Sequence, residues 1–158
     1  MLKRFGYAGR ILRVDLSKRK VTTEETGKYL GRFLGGRGIS QWLLYNESKP
    51  ENSPFEPENG LIFGTGVFVG TPVPAACRST VEGKNALTGG VGSSNVGGHF
   101  GPELKYAGYD HVVIRGRCNT LCYIWIDDEV VKIKTARHLQ GMTTWETDDS
   151  IRNELGDD

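Results

Sequence analysis

The chain has 158 residues, with 20 Lys and Arg against 19 Asp and Glu and a formal net charge of +1. A chain of this length can bury roughly 70% of its unfolded surface, enough for one core without disulfide staples. The balanced charge lacks the electrostatic footprint that drives non-specific binding to nucleic acid or anionic membranes.

Three cysteines, Cys77, Cys118 and Cys122, are too sparse for a secreted disulfide framework. No apolar run approaches the ~20 residues of a membrane span, and residues 1–10 lack the apolar region and cleavage site of an export signal. A cytoplasmic protein, one domain over residues 1–158, and neither nucleic-acid nor membrane partner are expected.

Residues 10–16 alternate, with Leu12, Val14 and Leu16 set against Arg13 and Asp15, the period of a half-buried strand. After Ser17-Lys18-Arg19-Lys20 the β-branched Val21-Thr22-Thr23 returns, so the chain opens with a hairpin. Over residues 26–46 the apolar side chains Tyr29, Leu30, Phe33 and Leu34, then Ile39, Trp42, Leu43 and Leu44, recur at helical spacing. This predicts two helices broken by a glycine loop at Gly35-Gly36-Arg37-Gly38. Pro50, Pro54 and Pro57 make residues 48–60 a surface connection.

Leu61-Ile62-Phe63 reads as a short buried strand, and from there to Tyr109 a glycine or proline falls every few residues, so bends rather than regular structure are expected. Strands follow over residues 111–114, 121–126 and 130–133, with a turn at Asp127-Asp128. A last helix opens with the capping-box pattern Thr143-Thr144-Trp145-Glu146 and closes at Gly156. The fold class is α+β, with β-rich antiparallel sheets and a few short helices.

Glycine is the unusual number, 22 of 158, about twice average usage. Residues 89–98 have almost no bulk to keep a ligand from their amides. Glycines that permit positive φ can form an anion-binding nest, and a helix starting with Pro102 as its first residue would add its dipole. Neither nucleotide fingerprint matches, and glycine marks tight turns as readily as ligand sites, so both readings stand on the residues alone. Arg37, Arg78 and Lys84 lie on or beside glycine-rich segments, where each could meet a phosphate. Cys118-x-x-x-Cys122 lacks the two-residue spacing common in cluster and zinc sites and reads as two small buried hydrophobes.

The order of segments is more specific than any one of them. Gly9-Arg10-Ile11-Leu12-Arg13-Val14-Asp15-Leu16, Gly35-Gly36-Arg37-Gly38, Ala86-Leu87-Thr88-Gly89-Gly90, Ser94-Asn95-Val96-Gly97-Gly98 and Pro102-Glu103-Leu104-Lys105-Tyr106-Ala107-Gly108-Tyr109-Asp110 follow one another in this order. With the closing Trp145-Glu146-Thr147, they resemble the N-terminal domain of tungsten-containing aldehyde:ferredoxin oxidoreductases across nearly the whole chain.

That resemblance implies a β-rich saddle, incomplete at its C-terminal end, for a tungstopterin: a bis-molybdopterin carrying tungsten or molybdenum, its two phosphates bridged by magnesium. It places Asn95 where a main-chain oxygen meets that magnesium, and Val96, Gly97 and Gly98 where backbone approaches pterin and phosphate. Arg78 matches an arginine between pterin and iron–sulfur cluster, where a guanidinium keeps its charge and donates a planar fork of hydrogen bonds. Arg37 and Lys84 are carried over as further cofactor contacts.

The cluster ligands for [4Fe–4S] and the substrate pocket belong to later domains of such enzymes and are absent from this chain. The chain is therefore expected to be a part or subunit of an oxidoreductase that turns aldehydes into carboxylic acids and passes electrons to ferredoxin. It would be inactive alone, with the remaining domains, a partner subunit or a second copy covering it. The alternative is a non-catalytic remnant or accessory module keeping the fold. Two departures from the family stand out: Glu82 and Gly83 weaken the strand following Arg78, and His99 stands where a large aromatic is more common, to fill that aromatic's space or to hydrogen-bond a pterin.

Overall fold

The computed structural model describes residues 5–156. Strands β1 (Arg10–Asp15) and β2 (Lys20–Glu25) form the expected hairpin, with Val14 opposite Val21. Strands β3 (Leu61–Thr65), β4 (Ser79–Lys84), β5 (Val91–Val96) and β6 (His111–Arg115) complete a six-stranded sheet in the order β2-β1-β6-β3-β4-β5. Only the β1–β6 pair is parallel; its neighbours run antiparallel. Strands β7 (Cys122–Asp127) and β8 (Val130–Thr135) make a separate hairpin. The α+β class holds.

Because side chains alternate across a strand, consecutive residues of the central strands feed two cores. On one face Ile11, Ile62 and Val113 pack under Ile39, Leu43 and Leu44 of helix α1 (Gly36–Glu47). On the other, Leu12, Val14 and Val112 meet Leu104 of helix α2 (Phe100–Tyr106), Tyr109, and Ile124, Ile126, Val131 and Ile133 of the β7–β8 hairpin. Each fully buried aliphatic side chain contributes about 1.5–3 kcal/mol. β1 is thus not half-buried as its alternation predicts, since Ile11 is as sealed as Leu12.

The helix expected over residues 26–34 is only a 3-10 turn at Thr26–Lys28. The Thr26 hydroxyl is fully buried and donates to Asp110 Oδ2 at 2.7 Å, a tertiary bond that outweighs the local period. The glycines at 35 and 36 therefore start α1 instead of separating two helices, with Gly35 capping it at φ 139°. The stretch between residues 64 and 109 is likewise not all bends, for it holds β4, β5 and α2. Helix α2 begins two residues before Pro102, which sits third, where its missing N–H would have no helical partner in any case.

Helix α3 (Thr144–Leu155) follows its pattern fully: Thr143 N–H donates to Glu146 Oε2 at 2.7 Å, Glu146 N–H donates back to Thr143 Oγ1 at 3.4 Å, and Gly156 adopts φ 69°. Asp110 gathers the N-terminal segment onto the sheet, accepting from the amides of Ala8 and Gly9, from Thr26 and from Lys105 Nζ. Among the described residues no helix is long and apolar enough to cross a membrane.

Candidate functional site

β5 is the outer strand of the six-stranded sheet, so one side of its backbone pairs with no other strand. Its register sets Ser79 against Val96, Thr80 against Asn95 and Glu82 against Ser93. Residues 93–100 are exposed throughout. A Cβ on Gly98 would meet nothing within 4 Å, and one on Gly97 only the Cys77 sulfur at 3.8 Å. The result is a bare backbone ledge rather than a nest. Within residues 89–98 positive φ is confined to Gly89 and Gly98, and the intervening chain is extended because β4 offers it a ladder.

The predicted site residues divide into two groups. Arg78 immediately precedes Ser79, which pairs with Val96, so it stands at the same end of the sheet as Val96, Gly97 and Gly98. It is exposed and makes no side-chain hydrogen bond or ion pair among the described residues. Arg37, in the first turn of α1, reaches this group directly: its Nη2 donates to Asn95 Oδ1 at 3.0 Å.

Lys84 stands apart at the other end of β4, roughly 17 Å along the strand from Ser79. Its ammonium donates to the carbonyls of Lys49, Pro50 and Asn52, so all three of its donors hold the 49–52 loop. It borders a different hollow of about 540 Å³, lined also by Leu44, Tyr45 and Val91.

Glu82, expected only to weaken its strand, is the residue the sequence reading missed. Its side chain is wholly buried; it accepts from Ser93 Oγ at 2.9 Å and from Gln41 Nε2 at 3.3 Å, and Arg37 Nε lies 3.5 Å from it. The available signal was its alternation with Thr80 and Lys84, which puts an acid on the face that α1 covers.

Other polar groups are structural. Burial pushes the His111 imidazole down to about 4, and its Nε2 donates to the Gly36 carbonyl at 3.2 Å, so the ring is neutral at pH 7. Burial, followed by the neighbouring Cys118 thiol, pushes Cys122 up to about 11, which keeps it protonated. His99 is exposed, directly ahead of α2.

The family model for the aldehyde ferredoxin oxidoreductase N-terminal domain matches residues 11–158. The tungsten-containing aldehyde ferredoxin oxidoreductase of Pyrococcus horikoshii is 42% identical over 157 residues, covering 97% of this chain and 25% of that protein. The aliphatic sulfonate oxidoreductase WOR-like subunit of Pyrococcus furiosus is 32% identical over 142 residues, covering 87% of this chain and 22% of the relative. Among solved structures, the active site complex BamBC of benzoyl coenzyme A reductase with 1,5 dienoyl-CoA superposes with a TM-score of 0.93 at 38% identity. That match covers 97% of this chain and 24% of the other. The chain spans about a quarter of the length of these relatives. By sequence and by fold alike, it belongs to the aldehyde ferredoxin oxidoreductase family and corresponds to that family's N-terminal domain.

Proposed function

We propose that this chain is the cofactor-binding part of a tungsten or molybdenum bis-pterin oxidoreductase that oxidises aldehydes to carboxylic acids and passes the electrons to ferredoxin. The observation that carries the reading is the exposed ledge of residues 93–100 beside the exposed Arg78. A bulky planar group needs a flat surface free of side chains and a cation at its rim, and the open space at Gly97 and Gly98 offers the first.

In this reading the backbone of Val96, Gly97 and Gly98 would hold the pterins, and the Asn95 main-chain oxygen would hold the magnesium. Arg78 donates to the cofactor through a guanidinium that stays charged at any working pH. Arg37 acts through Asn95 rather than by its own contact, and Lys84 supports the 49–52 loop. When bound, the cofactor supplies a redox metal that exchanges two electrons with the substrate; the chain's residues bind and orient it.

The [4Fe–4S] cluster, the substrate pocket and the ferredoxin contact are assigned to the remaining three quarters of the enzyme, carried on later domains or a partner subunit. Phe68, Phe100 and Tyr106 are exposed apolar side chains that those domains would cover. The chain by itself is expected to show no turnover.

The test is metal analysis by mass spectrometry and pterin fluorescence on the protein co-expressed with pterin-maturation enzymes and its C-terminal partner. Stoichiometric tungsten or molybdenum with two pterins is expected in the wild type, with a loss of at least tenfold in Arg78→Ala. Absence of pterin from the wild type overturns the reading and leaves the non-catalytic accessory module.

A further inference from the structure

No side chain of β5 is buried, so apolar packing does not seat this strand. What ties it to the body of the protein, beyond the β4 ladder, is a polar chain crossing three elements. We propose that Glu82 is a positioning residue for the β5 ledge: from beneath it, the carboxylate holds Ser93 directly and Asn95 through the guanidinium of Arg37.

The geometry is specific. Glu82 lies in the middle of β4 with no exposed side-chain surface, in register with Ser93. Its Oε1 accepts from Ser93 Oγ at 2.9 Å and lies 3.5 Å from Arg37 Nε, while Oε2 accepts from Gln41 Nε2 at 3.3 Å. The same guanidinium turns Nη2 to Asn95 Oδ1 at 3.0 Å. One planar fork thus spans Glu82 and Asn95, and its rigidity fixes the distance between them. Arg37 and Gln41 are one helical turn apart on α1, so both α1 contacts reach the carboxylate from one face.

A buried carboxylate stripped of these partners would be strongly disfavoured. The network is therefore satisfied only when β5 lies in this one position relative to α1. Resting on the cofactor reading above, this means the ledge at Asn95 is set before any ligand arrives, which lowers the ordering cost of binding.

The test uses the full-length protein and the variants Glu82→Gln, Arg37→Met and Arg37→Lys. Hydrogen exchange is read by mass spectrometry in peptides covering residues 91–98, with the β1–β6 pair as internal control, and the Asn95 side-chain amide is followed by NMR. Glu82→Gln and Arg37→Met are expected to speed exchange at residues 91–98 at least tenfold, shift the Asn95 signal and leave the control unchanged. Arg37→Lys, which keeps the charge but loses the fork, is expected to restore none of the protection.

Unchanged exchange at 91–98 in the variants overturns the proposal, as does an equal rise in the control, which would mark a merely general loss of stability. Should Glu82→Gln fail to fold, Arg37→Met, whose side chain is 48% exposed, decides alone. Tungsten and molybdenum content of the same samples, co-expressed as above, separates the two ideas. Wild type without either metal sinks the cofactor reading, while the exchange data still judge Glu82. Loosened residues 91–98 with undiminished metal likewise sink the ledge as its seat and uphold the positioning role.

Discussion

The Lys105 ammonium lies 2.7 Å from the Asp110 carboxylate, and the two side chains are only 7% and 2% exposed. Lys105 also donates to the Gly6 carbonyl at 2.6 Å, so the pair joins α2, β6 and the N-terminal segment. Lys105→Met leaves a buried carboxylate without its counter-charge and is expected to cost about 3–5 kcal/mol in urea unfolding at pH 7. Burial pushes the Asp110 carboxyl up, but Lys105, Thr26 and the Ala8 amide outweigh it and hold the group below its ordinary 3.8. The resulting stability is complete above that value and is lost as pH falls below it. Asp110→Asn is therefore expected to flatten the acid limb of a stability–pH curve, at a cost at neutral pH.

His111 gives a second pH dependence, in a different window. Its folded-state value near 4 lies below the ordinary 6.5, so the unfolded chain takes up the proton first as pH falls. Stability is full above 6.5 and declines between 6.5 and 4, by about 2 kcal/mol from pH 7 to pH 5. Urea midpoints at those two pH values should converge in His111→Gln.

The Thr143–Glu146 capping box holds a helix that buries none of its residues. Thr143→Ala should cost about 1 kcal/mol of local helix stability. Because α3 adds nothing to either core, faster amide exchange over residues 144–155 is expected, with no change in the global unfolding midpoint.

Glycines of similar appearance should respond differently to alanine. At Gly64 a new Cβ would collide with Ser40 Oγ and come within 2.8 Å of His111 Cδ2, both in the interior. At Gly90 its nearest neighbour is Thr88 Oγ1 at 3.5 Å. Gly64→Ala is expected to lose about 1–3 kcal/mol through overpacking. Gly90→Ala should stay within about 0.5 kcal/mol of wild type by the same unfolding assay.

The elements readable in advance are those whose cause is local. The β1–β2 hairpin shows its period, and the last helix shows both of its caps. The unreadable ones depend on partners far along the chain. Nothing near Thr26 announces that its hydroxyl will meet Asp110, 84 residues away, and that contact ends the helix its neighbours favour. β5, Val91-Gly92-Ser93-Ser94-Asn95-Val96, has no apolar alternation, and is a strand because β4 lies alongside. The ledge residues stand out by the order of the motifs, whereas nothing local marks Glu82, whose three side-chain partners come from α1 and β5. The parallel pairing of β1 with β6 has no signature in either strand.

β6 stands between the β1–β2 hairpin and the β3–β4–β5 meander, touching both, and no other strand connects them. Its parallel partner β1 precedes it by 100 residues, as the pairing of Ile11 with His111 shows. During synthesis the two pieces therefore emerge with one flank open each, and the sheet becomes continuous only when His111–Arg115 arrives. Closure across so long a loop is slow, which makes this five-residue strand the keystone of assembly. Until it docks, the nascent chain carries two sticky borders that a chaperone would have to shield.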